Sequence, residues 1–312
     1  MIGEIKMKVL VAVDSINTLE IILDELFARS WPVGTEVQVL SVVDDGDVPM
    51  KAWREEGYGV STVRREMERR GEQISAFAVE RLRQIGIPAR VVIMRGDPAY
   101  LISFAARKWP ADLILIRAHN RTDFRTRLLG SVAKSVVESA PCSVEVVRNA
   151  DAPTDGEFRV LLATDGSAAS MAASRAVADT SWPENTEVRV VSAVNPFIYS
   201  LEELGLTRGT GTAQAHRAIG NAVHALKRAP VRISAEVIAG RAARRIVERA
   251  RQWGADLIVL GTNERRGLSR MLFGSTSAAV AKRAHCSVRV IRGNDTLQVS
   301  KPIGLQEWRR AA

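Results

Sequence analysis

Little in this chain of 312 residues invites a membrane or a catalytic reading. Nowhere does an apolar run approach the roughly 18 residues that a membrane-crossing helix needs. The opening residues 1–6 lack the basic start, apolar core and small-residue cleavage site of a secretory leader. The expectation is therefore a soluble, cytoplasmic protein with no membrane partner. Cysteine is nearly missing: the two, Cys142 and Cys286, make no disulfide framework. Each reads as a small buried residue leading into a strand. Aromatic residues are only 5% and form no stacking motif, which argues against nucleic acid as a partner. Histidine is scarce too, and neither His119 nor His216 has a Ser, Cys or carboxylate at a nucleophile spacing. With no metal-ligand cluster of His, Cys and Asp either, no catalytic residue and no metal site is assigned.

What the chain does have is a copy of itself. Lys8-Val-Leu-Val-Ala-Val-Asp14 returns as Arg159-Val-Leu-Leu-Ala-Thr-Asp165, and Ser30-Trp31-Pro32 with Thr35-Glu36-Val37 returns as Ser181-Trp182-Pro183 with Thr186-Glu187-Val188, both at an offset of 151. Trp109-Pro-Ala-Asp-Leu-Ile114, Leu129-Gly130-Ser131 and Cys142-Ser143-Val144 return at an offset of 144. The second copy is thus seven residues shorter, the loss falling between Val43 and Gly96. A unit of about 140 residues is a duplicated domain, since solenoid repeats run to roughly 20 to 50 residues. The expected domains are residues 1–150 and 157–293, with a polar, turn-rich linker at 151–156 and a tail at 294–312.

Each copy alternates short apolar, β-branched runs with longer amphipathic stretches, the pattern of a parallel sheet covered by helices on both faces. Five strands per copy are expected: about Lys8–Val13, Glu36–Val43, Ala89–Met94, Leu113–Arg117 and Val144–Val147, then Arg159–Thr164, Glu187–Val194, Arg232–Ile238, Leu257–Leu260 and Val288–Ile291. Runs such as Leu113-Ile-Leu-Ile116 are apolar on both faces, as strands buried above and below must be. The fold class is α/β, two repeated doubly wound domains, each with a five-stranded parallel sheet. Charge follows the helices. Lys and Arg total 44 against 35 acidic residues, for a net charge of +9; phosphate-bearing partners suit such a surface, while the spread of arginines through both helical patterns suits simple solvation.

Ligands of open parallel sheets bind beyond the carboxyl ends of the strands, near the point where strand order reverses. That directs attention to Asp14 and Asp165 after the first strand of each copy, to Val43-Asp44 and Val194-Asn195 after the second, and to Gly130-Ser131 and Gly274-Ser275. These last pairs open a helix, whose free backbone N–H groups and hydroxyl suit a phosphate.

These residues resemble the universal stress protein family in its tandem form. Its nucleotide-binding members carry Gly, two residues, Gly, nine residues and then Gly with Ser or Thr after strand four, with an Asp ending strand one. The second copy reads Gly261-Thr-Asn-Glu264, nine residues, then Gly274-Ser275, keeping the spacing with Glu264 in place of one glycine. The first reads Arg117-Ala-His-Asn120, nine residues, then Gly130-Ser131, with both leading glycines replaced. The resemblance implies an adenine nucleotide alpha hydrolase-like fold. It also implies a site for ATP or AMP, with Mg accompanying it, in the second copy alone: Asp165 and the main chain at Val194 for adenine, Gly261 for ribose and phosphates, Gly274 and Ser275 for the phosphates. Arg265 and Arg266 are candidate anion-binding residues that would offset the charge of Glu264. In the first copy, Arg117, His119, Arg121, Arg125 and Arg127 form a basic loop instead.

The functional expectation is a non-enzymatic stress-response protein that binds adenine nucleotide through the second copy. The alternative is a scaffold or regulatory interaction protein with both sites degenerate. Because domains of the resembled family commonly pair through their fifth strands, Val144–Val147 and Val288–Ile291 are expected to meet antiparallel in an intramolecular pseudo-dimer, with further homodimerisation open. That pairing places Glu145 near Arg289, a cross-strand pair worth roughly 0.2 to 1 kcal/mol.

Overall fold

The computed structural model of the chain describes residues 7–29, 31–44, 60–118, 129–148, 156–206, 210–262 and 275–293. In the first half the elements run β1 (Lys8–Val13), α1 (Ile16–Phe27), β2 (Glu36–Val43), α2 (Val60–Gln84), β3 (Ala89–Arg95), α3 (Pro98–Lys108), β4 (Leu113–Arg117), α4 (Ser131–Ser139) and β5 (Ser143–Val147). The second half repeats the order as β6 (Arg159–Ala163), α5 (Ala168–Ala178), β7 (Glu187–Val194), α6 (Pro196–Glu203), α7 (Thr210–Leu226), β8 (Arg232–Ala239), α8 (Ala242–Trp253), β9 (Leu257–Thr262), α9 (Ser275–Arg283) and β10 (Ser287–Arg292). Every expected strand is present with ends shifted by a residue or two. Helix α6 was not anticipated; Asn195 Oδ1 accepts the N–H of Phe197 at 2.9 Å, and Pro196 supplies the preset φ of a first helical position.

The repeated motifs turn out to be joints of the fold. Trp31 Nε1 donates to the Leu26 carbonyl at 2.7 Å and Trp182 Nε1 to that of Val177 at 2.8 Å. Each indole thereby closes the exit from its helix. Asp112 Oδ2 accepts the backbone N–H of Lys8, and Asp256 Oδ2 that of Arg159, both at 2.7 Å. These carboxylates pin the first strand of each half beside its fourth.

The two five-stranded sheets are present as expected. Each half is parallel, and together the strands form one ten-stranded sheet in the order β3-β2-β1-β4-β5-β10-β9-β6-β7-β8. The halves meet at strand five as expected: β5 and β10 pair antiparallel, with Val144 opposite Val290, Glu145 opposite Arg289 and Val146 opposite Val288.

Alternation along the strands gives the two faces of this seam different characters. On one face, Val144, Val146, Val288 and Val290 join a core continuous across both halves, including Val136 of α4 and Val280 of α9. On the other, the cores under α1 and α2 and under α5 and α7 remain separate. Charge lies between them. Glu145 is fully buried and its Oε2 accepts from Arg289 Nε at 2.6 Å. Arg29 forks onto both Glu145 oxygens and also reaches Glu25 Oε1 at 2.5 Å, while Ser287 Oγ donates to Glu25 Oε2 at 3.3 Å. The expected energy for Glu145 and Arg289 therefore belongs to the wrong setting. With side chains 0% and 5% exposed, removing one partner strands a buried charge, at a cost of about 3 to 5 kcal/mol.

A second set of contacts obeys the pseudo-two-fold. Arg148, just past β5, donates to the carbonyls of Ala281 and Cys286, and its backbone N–H bonds Ser287 Oγ at 3.1 Å. Arg292, its equivalent, donates to the carbonyls of Val137 and Glu138, and its N–H bonds Ser143 Oγ at 3.2 Å. Each half thus lends a cation to the carbonyl end of the other's last helix, where such a charge is favourable.

Candidate functional site

Strand order reverses between β1 and β4 in the first half and between β6 and β9 in the second. Registers fix what lies at the second reversal. Ala163 pairs with both Leu260 and Val191, so the ends of β6, β7 and β9 share one edge of the sheet. Asp165, two residues past Ala163, stands exposed beyond the end of β6, with Gly261 next after Leu260 in β9 and Val194 closing β7.

The Asp165 carboxylate is held by the start of α5. Its Oδ1 accepts the N–H of Ser167 at 2.9 Å. Ser167 Oγ in turn caps the helix by accepting the N–H of Ser170 at 3.2 Å, as hydroxyl caps do. Partial burial pushes the Asp165 carboxyl up, but hydrogen bonds from the Ser167 side chain and backbone and from Ser170 outweigh it and hold the pKa below the ordinary carboxylate value. The group is an anion throughout the neutral range. Thr164, Ser167 and Ser170 surround Asp165 and were not singled out from the sequence; the signal was there in Thr164-Asp-Gly-Ser167, a turn-and-cap pattern. Gly166 supplies its left-handed corner at φ 80°.

Val194 is buried, and its carbonyl already accepts the N–H of Gly240 at 2.8 Å. Val43 does the same for Gly96 at 3.0 Å. One lone pair of the Val194 oxygen is therefore committed to the fold, leaving the other.

Gly261 has a structural reason independent of any ligand. A Cβ built on it falls 2.2 Å from the carbonyl carbon and oxygen of Ala169 and 2.6 Å from the N of Ser170, both in the first turn of α5. Only glycine lets helix and strand approach this closely. Its retention in the second half is accounted for by packing, and the ligand cradle expected of it has no support from the missing Cβ.

Ser275 opens α9, exposed, but it lines a cleft of about 230 Å³ between α4 and α9, together with Leu129, Lys134, Val137, Glu138 and Lys282. That cleft lies over the seam. Gly274, Arg265, Arg266, Glu264 and His119 lie outside the described residues. In the first half Asp14 is likewise exposed beyond β1, accepting from Thr18 Oγ1 at 2.6 Å, and half-buried Arg117 occupies the place of Gly261. Cys142 and Cys286 are both buried, and burial pushes the Cys286 thiol up to about 12, so it carries no nucleophile. Among the described residues no helix is long and apolar enough to cross a membrane.

A doubly wound sheet, duplicated and with a strand-order reversal beneath an ordered carboxylate, defines the class: a tandem α/β protein of the adenine nucleotide alpha hydrolase-like fold. The chain belongs to the universal stress protein family, whose profile matches residues 7–148 and 158–292. Among its relatives, a universal stress protein of Mycobacterium tuberculosis is 31% identical over 186 residues, 58% of this chain and 62% of that protein. The chain thus matches less than two thirds of that relative's length. A universal stress protein of Methanocaldococcus jannaschii is 47% identical over 62 residues, 20% of this chain and 36% of that protein. A crystal structure of a universal stress protein from Archaeoglobus fulgidus superposes with a TM-score of 0.65 at 20% identity, covering 92% of this chain and 98% of its own. A functionally unknown protein from Pseudomonas aeruginosa gives 0.57 at 17% identity, covering 91% and 92%. These likenesses establish the fold.

Proposed function

We propose that the protein is a non-enzymatic, cytoplasmic stress-response protein that binds one adenine nucleotide, ATP or AMP, through the domain at residues 157–293. The observation that supports this reading is Asp165: an exposed carboxylate, fixed by Ser167 at the strand-order reversal of the second half, where open sheets hold their ligands. A fixed acceptor there suits the amino group of adenine. Mg enters only as the companion of ATP, since no residue of the chain is assigned to it. The domain at residues 1–150, with Arg117 where the second has Gly261, contributes surface and the seam.

Calorimetric titration with ATP and Mg, and separately with AMP, tests the reading. The expected stoichiometry is one. Asp165→Ala weakens binding by about tenfold or more, the scale of a lost hydrogen bond to a charged group, and Asp14→Ala leaves it unchanged. Two sites per chain, or loss in the Asp14 variant alone, refutes the asymmetry. A second reading, an interaction protein with both sites degenerate, is favoured by Gly261, whose missing Cβ is explained by helix α5. It predicts no heat with either nucleotide and no nucleotide released on denaturation.

A further inference from the structure

The two halves share one architecture, yet at the seam they differ in a particular way. Equivalent positions carry opposite charges: Glu145 in β5 against Arg289 in β10, and Glu138 in α4 against Lys282 in α9. The first two face each other directly in the sheet and bond at 2.6 Å. Their supports are one-sided as well. Glu25 of α1 and Arg29, just beyond its end, complete the cluster, and the positions equivalent to them are Ala176 of α5 and Thr180 just beyond it, which carry no charge.

We propose that the fifth-strand seam is a heterotypic recognition surface, on which the first half accepts as its partner a strand carrying a cation opposite Glu145, so that each half pairs with the other half of its own chain and not with its own kind. Homotypic pairing is built to fail. Two second halves joined at β10 would oppose Arg289 to Arg289 with Ala176 and Thr180 nearby, leaving two buried guanidiniums without a carboxylate. Two first halves joined at β5 would oppose Glu145 to Glu145, each beside its own Arg29 but neither with a guanidinium opposite it in the sheet. Like charges opposed in a dry seam disfavour the wrong pairing more strongly than a surface pair favours the right one. The contacts of Arg148 and Arg292 are symmetric and would serve any pairing equally. Discrimination therefore rests on the charge-reversed positions.

The test uses full-length chains. Glu145→Arg gives a chain with arginine in both fifth strands, and Arg289→Glu gives one with glutamate in both. Each alone is expected to lose hydrogen-exchange protection at the β5 and β10 amides by on the order of a hundredfold or more. Mixed in equal amounts, they restore protection as a one-to-one complex of twice the 34.1 kDa chain mass, because arginine now meets glutamate only between chains. The double variant Glu145→Arg with Arg289→Glu regains much of the protection as a monomer. The proposal is overturned if either single variant keeps wild-type protection, or if folded single variants remain unassociated on mixing. If the single variants do not fold, a double variant no better than the worse of them overturns it.

Discussion

Helices α1 and α5 occupy the same place in the two halves, and they are built from opposite materials. Helix α1 buries Thr18, Leu19, Ile22, Leu23 and Leu26. Helix α5 buries Ala169, Ser170, Ala172, Ala173, Ser174, Ala176 and Val177. Large side chains hold a helix off its sheet, whereas small ones let the backbones approach, and β9 meets that approach with a glycine. In the first half the same strand position is Arg117, behind a helix whose bulk is carried by leucine and isoleucine. The missing Cβ of Gly261 is thus part of a packing solution shared with the alanines of α5. Helix entry changes with it: Ser15 caps α1, whereas the cap of α5 is Ser167, equivalent to Ile16, with Gly166 turning the corner before it.

The largest expected effect tests that pairing of glycine with alanine. Gly261→Ala forces a methyl group against the first turn of α5 and is expected to cost about 3 kcal/mol or more. Arg117→Ala at the equivalent position changes stability by about 1 kcal/mol or less. Thermal or denaturant unfolding of both variants gives the comparison, and similar losses at the two positions would show that the helices sit alike.

A second effect separates the halves by pH. Burial raises the Glu25 carboxyl from its ordinary 4.5 to about 7; Arg29 works against the rise and Glu145 adds to it. The folded state therefore holds this proton more tightly than the unfolded chain does. The contribution of Glu25 is fully present below pH 4.5 and is lost as pH rises through 7. Glu145 behaves oppositely: burial alone would raise it, but the Arg289 and Arg29 guanidiniums hold it at about 2. Its contribution is present above pH 4.5 and lost as pH falls toward 2. Between pH 4.5 and 7, Glu25→Gln should remove a downward slope in stability amounting to about 1 to 3 kcal/mol. The second half has Ala176 here and no counterpart. An unchanged slope in urea titrations across that range would mean that Glu25 is ionised alike in both states.

The smallest effect sharpens the comparison of caps. Ser15→Ala and Ser167→Ala should each cost about 1 kcal/mol through loss of a helix cap. Only the second also loosens a carboxylate of the candidate site. Deprived of the Ser167 hydroxyl, Asp165 should titrate at higher pH by carboxyl-detected NMR; an unmoved titration would assign its depression to the backbone N–H alone.

Much of this was legible in the residues. The duplication could be read from matched segments, and ten strands from β-branched apolar runs, because strands buried on both faces leave an unmixed hydrophobic signal. The strand-five meeting was legible from the position of those strands at a sheet edge. The position of Asp165 was legible from the turn-forming residues that follow the first strand of the second half. Helix α6 was not, since Asn195-Pro196 reads equally as a turn and as a helix start. The buried ion cluster was half legible: Glu145 stands out in an apolar strand, but nothing in sequence brings Arg29 to it from 116 positions away.

The sequence by itself determined the repeated α/β order, the strands and the placement of an acid after the first strand of each half, because these follow from local periodicity and turn chemistry. Tertiary structure alone decided two matters. It drew Glu25, Arg29, Glu145 and Arg289 into a single cluster, and it set the close approach of α5 that makes Gly261 obligatory. Each depends on distances between segments far apart in the chain, and such distances are fixed only when the helices have settled on the sheet and excluded water.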